Sequence, residues 1–145
     1  MHCFNMPFAS SNWCLRAAAL IALFAARPVH AGDTVYVICN PSVRLSMQDL
    51  RDVFLGERQF AGSIKLAPAD NRAALNAFLE RVLMMASSKY ATSWTKKSFR
   101  DGVNPPPVKA GDAEAIEYVR RQPGACSYST TPPGAGVAVV ATYQS

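Results

Sequence analysis

Short β-rich runs alternating with longer segments of helical periodicity constrain this chain more than any other feature. Thr34–Cys39 is an unbroken apolar run rich in β-branched residues, suited to a strand buried on both faces. Ser46 precedes Met47-Gln48-Asp49, an N-cap with an acid at its third helical position. The helix carries Leu50, Val53 and Phe54 and stops at Gly56. Glu57 to Ser63 reads as a turn and Ile64–Ala67 as the second strand. Asp70-Asn71 can cap the next helix, in which Leu75, Phe78, Leu79, Val82 and Leu83 recur at helical spacing.

Ser87-Ser88 breaks that pattern and caps a further helix whose inner side carries Tyr90, Ala91 and Trp94 and extends to Phe99. At this spacing the aromatics read as core, and Lys96-Lys97 as a solvated face. Arg100 to Lys109, with three consecutive prolines, is an ordered loop. Asp112 caps a helix through Arg121, with Ala115, Ile116 and Val119 inward and Tyr118 at the margin. Pro123-Gly124 ends it, Ala125–Ser129 is the third strand, and Val137–Tyr143 is a final edge-type strand. The order β-α-β-α-α-loop-α-β-β implies a small α/β sandwich: a mostly parallel sheet with helices on both faces.

The N-terminus stands apart. Arg16 precedes an apolar run, Ala17 to Ala26, followed by Val29 and Ala31 at the third and first positions before Gly32. This reads as a secretory signal peptide over residues 1–31, leaving one domain over 32–145. The other reading is an uncleaved anchor, although the run is short for the roughly 20 residues a span needs. Removing 31 of the 145 residues leaves 114, enough for a single core. Arg16 and Arg27 leave with the leader and no acid does, so the net charge falls from +5 to +3. That balance favours a small anion over a neutral ligand and excludes the dense basic face of a nucleic-acid binder. After cleavage no membrane insertion is expected, and the protein is placed in the periplasm.

Both histidines, His2 and His30, lie in the leader, so the domain lacks the commonest general base and metal ligand. No paired carboxylates show acid–base spacing: Glu114 and Glu117 read as surface charges beside Arg120 and Arg121. The chain is therefore read as a non-enzyme, with no cofactor and no metal. Two cysteines remain, Cys39 and Cys126, each in a strand-like run. In an oxidising compartment such a pair is a candidate disulfide tying the first and third strands. The alternative is two buried thiols behaving as small apolar residues.

In open α/β sheets, ligands sit beyond the C-terminal ends of the strands, near helix N-termini that suit anions. Here those ends are Asn40-Pro41-Ser42, Asp70-Asn71-Arg72 and Ser127 to Thr130. Asn40, Ser42, Asp70, Asn71, Arg72 and Ser127 are the candidate ligand contacts, with Ser42, Arg72 and Ser127 as donors. Ser42 and Asn71 serve equally well as backbone caps.

Asn40-Pro41-Ser42, Val53-Phe54-Leu55-Gly56-Glu57, Trp94, the prolines at 105–107 and Pro123-Gly124-Ala125-Cys126-Ser127-Tyr128 occur in this order. The set resembles the phosphate-type substrate-binding proteins of bacterial ABC transporters, with their "NPS", "iFLGk", later tryptophan, "pP" and "pGaiGY" markers. It covers roughly Thr34 to Thr130. The resemblance implies one lobe of a type II periplasmic binding protein and phosphate or a similar oxyanion as a weakly bound ligand. The family's Gly-Ser-Gly-Thr turn after the second strand is replaced by Asp70-Asn71-Arg72-Ala73, and only one lobe is present. The competing reading is therefore a one-lobe interaction or sensor module that has lost its ligand and docks on an envelope protein or on a second copy.

Overall fold

The computed structural model describes residues 34–144; the signal-peptide reading lies outside them. The described chain forms β1 (Thr34–Cys39), α1 (Met47–Phe54), β2 (Phe60–Ala61), β3 (Ile64–Lys65), β4 (Ala67–Pro68) and β5 (Asp70–Asn71). It continues through α2 (Leu75–Phe78), a π-helical turn (Leu79–Leu83), α3 (Ser87–Asp101), β6 (Val108–Lys109), α4 (Asp112–Arg121), β7 (Ala125–Ser129) and β8 (Ala138–Gln144). The main sheet has the order β4-β7-β1-β8, and β5 pairs with β6 beyond its end.

Side chains alternate across β1, and each face is covered. Val35, Val37 and Cys39 join Leu50, Val53 and Phe54 of α1, Phe78, and Trp94 of α3 in the larger core. Ile38 faces the other way, onto Ile116 and Val119 of α4. Helices thus lie on both faces, as the sequence pattern requires. At the centre of the larger core Phe78 stacks on Tyr128 with ring centroids 3.8 Å apart, and Phe54 packs on Phe78 at 4.8 Å. Truncating one of these rings to alanine costs about 3–5 kcal/mol.

Strand direction differs from expectation. β4 and β7 are parallel, but β1 runs antiparallel to both of its neighbours, β7 and β8. Residues 57–63, read as a plain turn, contain the first arm of a β2–β3 hairpin, Phe60↔Lys65 and Ala61↔Ile64. That extra reversal brings the chain into the sheet opposed to β1. β8 then lies parallel to β7 with β1 between them, reached by a crossover without a helix. Arg120 of α4 holds this crossover by donating to the carbonyls of Ala135 and Pro133.

Cys39 and Cys126 are directly opposite across β1 and β7, with Cα atoms 4.1 Å apart, and are joined by a disulfide. The adjacent bond from Asn40 N to Ala125 O marks this as a non-hydrogen-bonded pair, the closer of the two antiparallel pair types. The bridge joins residues 87 apart in sequence.

Several local assignments need correction. Ser46 does form a capping box with Asp49. Asp70 and Asn71, however, are strand residues; α2 starts after Ala74, which makes no side-chain cap bond. Ser87 is the first residue of α3, with Ala86 at the N-cap, and the helix runs on to Asp101 before Gly102 adopts φ 66°. Asp112 is likewise inside α4, after Gly111. Phe99 is 89% exposed because it follows Tyr90 by nine residues, half a turn out of phase on an α-helix. Lys97 is in phase and is buried. Its stem and the Trp94 ring fill the space over Gly56, where a Cβ would come within 2.7 Å of each. Lys97 Nζ reaches Glu57 Oε1 at 2.8 Å.

Candidate functional site

The reversal of β1 separates the candidate ligand residues into two groups. Asn40 and Ser42 follow β1 and lie at the start of β7. Asn40 Nδ2 donates to the carbonyls of Val119 (2.9 Å) and Arg120 (3.2 Å), and its Oδ1 accepts from Ser42 N. Ser42 Oγ accepts from Gly124 N at 3.0 Å. Both side chains close the C-terminal end of α4 and the turn into β7. Asp70, Asn71 and Arg72 lie at the opposite end, beside Tyr128. Four residues of strand separate Gly124 from Tyr128, roughly 13 Å at the usual rise.

At that second end the polar groups satisfy one another. Ser127 Oγ donates to Ala69 O at 2.8 Å within the sheet. Asn71 Nδ2 donates to Asp112 Oδ1 (2.6 Å) and Tyr128 O (2.9 Å), and its Oδ1 accepts from Ala73 N. Asp112 Oδ2 accepts from both Thr130 N (3.2 Å) and Thr130 Oγ1 (2.7 Å). The carboxylate of Asp112, in the first turn of α4, therefore collects three donors where the helix dipole favours a negative charge. Burial works to raise its pKa, but the hydrogen bonds from Thr130 and Asn71 prevail and hold it below the ordinary value. Arg72 is exposed, and its backbone N–H donates to Lys109 O. Lys109 extends its ammonium over the Tyr118 ring, 4.4 Å from the centroid.

Asp70 faces another way. Its carboxylate accepts from Tyr90 Oη at 3.1 Å and from Tyr128 Oη at 3.0 Å. Burial raises its pKa to about 6 against the opposing pull of the two hydroxyls. Burial first, and then the Asp70 charge, push both tyrosines above their ordinary range, so they remain hydroxyl donors.

Above Asp70 opens a groove of about 770 Å³ between α3 and the proline loop. Leu75, Leu79, Tyr90, Trp94 and Pro106 form its apolar walls, and Phe99 and Val108 stand exposed on its rim. Among the described residues Asp70 is the sole charged one lining it, with Ser87, Ser88, Thr95 and Ser98 supplying hydroxyls. The size and apolar lining suit a small organic molecule. The sequence reading did not find this groove or the roles of Tyr90, Tyr128 and Asp112. One signal was available: Tyr90, read as core, needs a partner for its hydroxyl once buried.

Among the described residues no cluster of three His, Cys, Asp or Glu could hold a metal ion, and no helix is long and apolar enough to cross a membrane.

No characterised protein family and no curated protein matches the chain. Among solved structures it is similar to PstS from Borrelia burgdorferi, at 14% identity over 66% of this chain and 40% of that one, with a TM-score of 0.47. It is also similar to an ABC-type phosphate transport receptor from Vibrio cholerae, at 13% identity over 74% of this chain and 45% of that one, with a TM-score of 0.46. The chain spans less than half the length of either receptor.

Proposed function

We propose that this chain is a periplasmic, non-catalytic lobe of the solute-binding-protein type, related to phosphate receptors, that works as a one-lobe sensor or adaptor through its groove. The observation that carries this reading is the saturation of the polar strand ends. Asn71 and Thr130 would be the natural oxyanion donors, and they are spent on the Asp112 carboxylate. Asn40, Ser42 and Ser127 are spent on backbone groups. At Asn71 and Thr130 an incoming phosphate would find the donors already taken and would meet the Asp112 carboxylate. The ordered motifs of the sequence support the ancestry, and the Cys39–Cys126 bridge fits an oxidising compartment.

A second reading rests on Arg72 and Lys109, neighbours on the β5–β6 rim through Asn71↔Lys109 pairing. A second lobe or second copy closing over this rim would give an oxyanion two cations and a dry wall. Calorimetric titration of protein recovered after export of the full chain, with phosphate and then sulfate at low salt, separates the two. The first reading expects no saturable heat at millimolar anion. Saturable binding that Arg72→Ala abolishes would replace it with the second.

A further inference from the structure

We propose that the groove floored by Asp70 is a binding site for small organic cations, in which an ammonium head meets the carboxylate and an aromatic or aliphatic body fills the apolar walls. The proposal rests on the reading of the groove as the working surface and adds the class of ligand. Charge decides the class. The lining combines aromatic and aliphatic walls with one carboxylate, and no lysine or arginine contributes to it. A carboxylate or phosphate ligand would leave its charge against Asp70 in a desolvated cleft. A neutral apolar ligand would ignore the only ionised group present.

The head-group geometry also fits. Asp70 Oδ1 accepts from both tyrosines, whereas Oδ2 receives only Tyr90, so Oδ2 retains acceptor capacity in a residue that lines the groove. The groups facing Asp70 are Tyr90 from α3 and Tyr128 from β7, both held as neutral donors. The Pro107 carbonyl before β6 is bonded to the Asp70 backbone N–H and leaves its carboxylate free. Among the described residues no lysine or arginine lines the groove to compete for the carboxylate. Tyr90, Trp94 and Phe99 are among the residues lining the same space, and an aromatic lining suits a cation. Because the carboxylate must be ionised to hold the head group, affinity falls as pH drops through about 6.

The test compares 2-phenylethylamine, 2-phenylethanol and phenylacetate, which share one body and differ in charge. Each is titrated into the exported protein at pH 8 while the backbone amides of Ala91, Thr95 and Val108 are followed by NMR. The amine is expected to bind about tenfold more tightly than the alcohol, with phenylacetate weakest. At pH 5 the amine's advantage should vanish. Asp70→Asn should erase the preference at pH 8 while leaving alcohol binding intact, which also reports that the variant is folded. Ala91→Trp, at an exposed position of α3 in the groove lining, should block all three ligands while leaving Asp70 in place. Equal responses to the three ligands, no response to any, or groove signals that broaden with protein concentration alone would overturn the proposal. The last outcome would assign the groove to a second copy. Phosphate binding by the same sample would defeat the functional reading above without altering the order of these three ligands.

Discussion

Replacing Asp70 with asparagine should change the pH dependence of folding in a definite direction. The carboxyl is buried, and its pKa in the fold is about 6 against 3.8 in an open chain. Between those values the folded state binds a proton that the unfolded state releases. The contribution of Asp70 is therefore fully present below about pH 4 and is lost as pH rises to about 6. A difference of about two pH units corresponds to roughly 3 kcal/mol, a large fraction of the stability of a domain this size. Asp112 works in the opposite sense, its stabilisation falling away only in acid, below the ordinary carboxylate range. Asp112 is present in both proteins, so subtracting the two curves isolates Asp70. Urea unfolding from pH 4 to pH 7.5 is the assay. The wild type should lose roughly 2.5 kcal/mol relative to Asp70→Asn across this window, with the change complete by about pH 7. Parallel curves would refute the assignment of a buried, reluctantly ionised carboxyl held by Tyr90 and Tyr128.

Other consequences are separable. Gly124→Ala should destabilise by about 2 kcal/mol or more, because φ is +78° and the new Cβ would lie 2.3 Å from the Lys65 carbonyl oxygen; a shift of less than a few tenths in thermal unfolding would contradict this. Reducing the Cys39–Cys126 bridge, which closes a separation of 87 residues, should cost about 4 kcal/mol in urea unfolding with and without reductant. Lys97→Ala should cost about 2 kcal/mol through lost packing over Gly56 and Trp94, while Glu57→Gln should cost less than about 1 kcal/mol because Glu57 is exposed. Similar losses for the two would show that the ion pair, and not the buried stem, matters.

Local signals carried the layered architecture. β1, α1, α4 and β7 follow from apolar spacing, helped in α1 by the Ser46–Asp49 box that the chain itself writes. Strand direction did not follow, because it turns on a two-residue hairpin in a segment whose composition reads as a turn. That single reversal moved Asn40 and Ser42 to the far end of the sheet from Asp70. The fate of Asp112 was hidden for a different reason. An acid before a helical run signals a cap, and the sequence does not reveal that Asn71 and Thr130 converge on it from 41 and 18 residues away. The groove was equally invisible: Phe99 and Pro106 line it together only because α3 ends before Gly102 and the proline loop turns back to pair β6 with β5.

Asp112 occupies the donors an oxyanion would need. Calorimetric titration of sulfate into wild type and Asp112→Ala tests it directly. Silence is expected from the wild type and saturable millimolar binding from the variant, whose Asn71 amide and Thr130 N–H and hydroxyl are then free. Saturable binding by the wild type, or no gain in a folded Asp112→Ala, would contradict it.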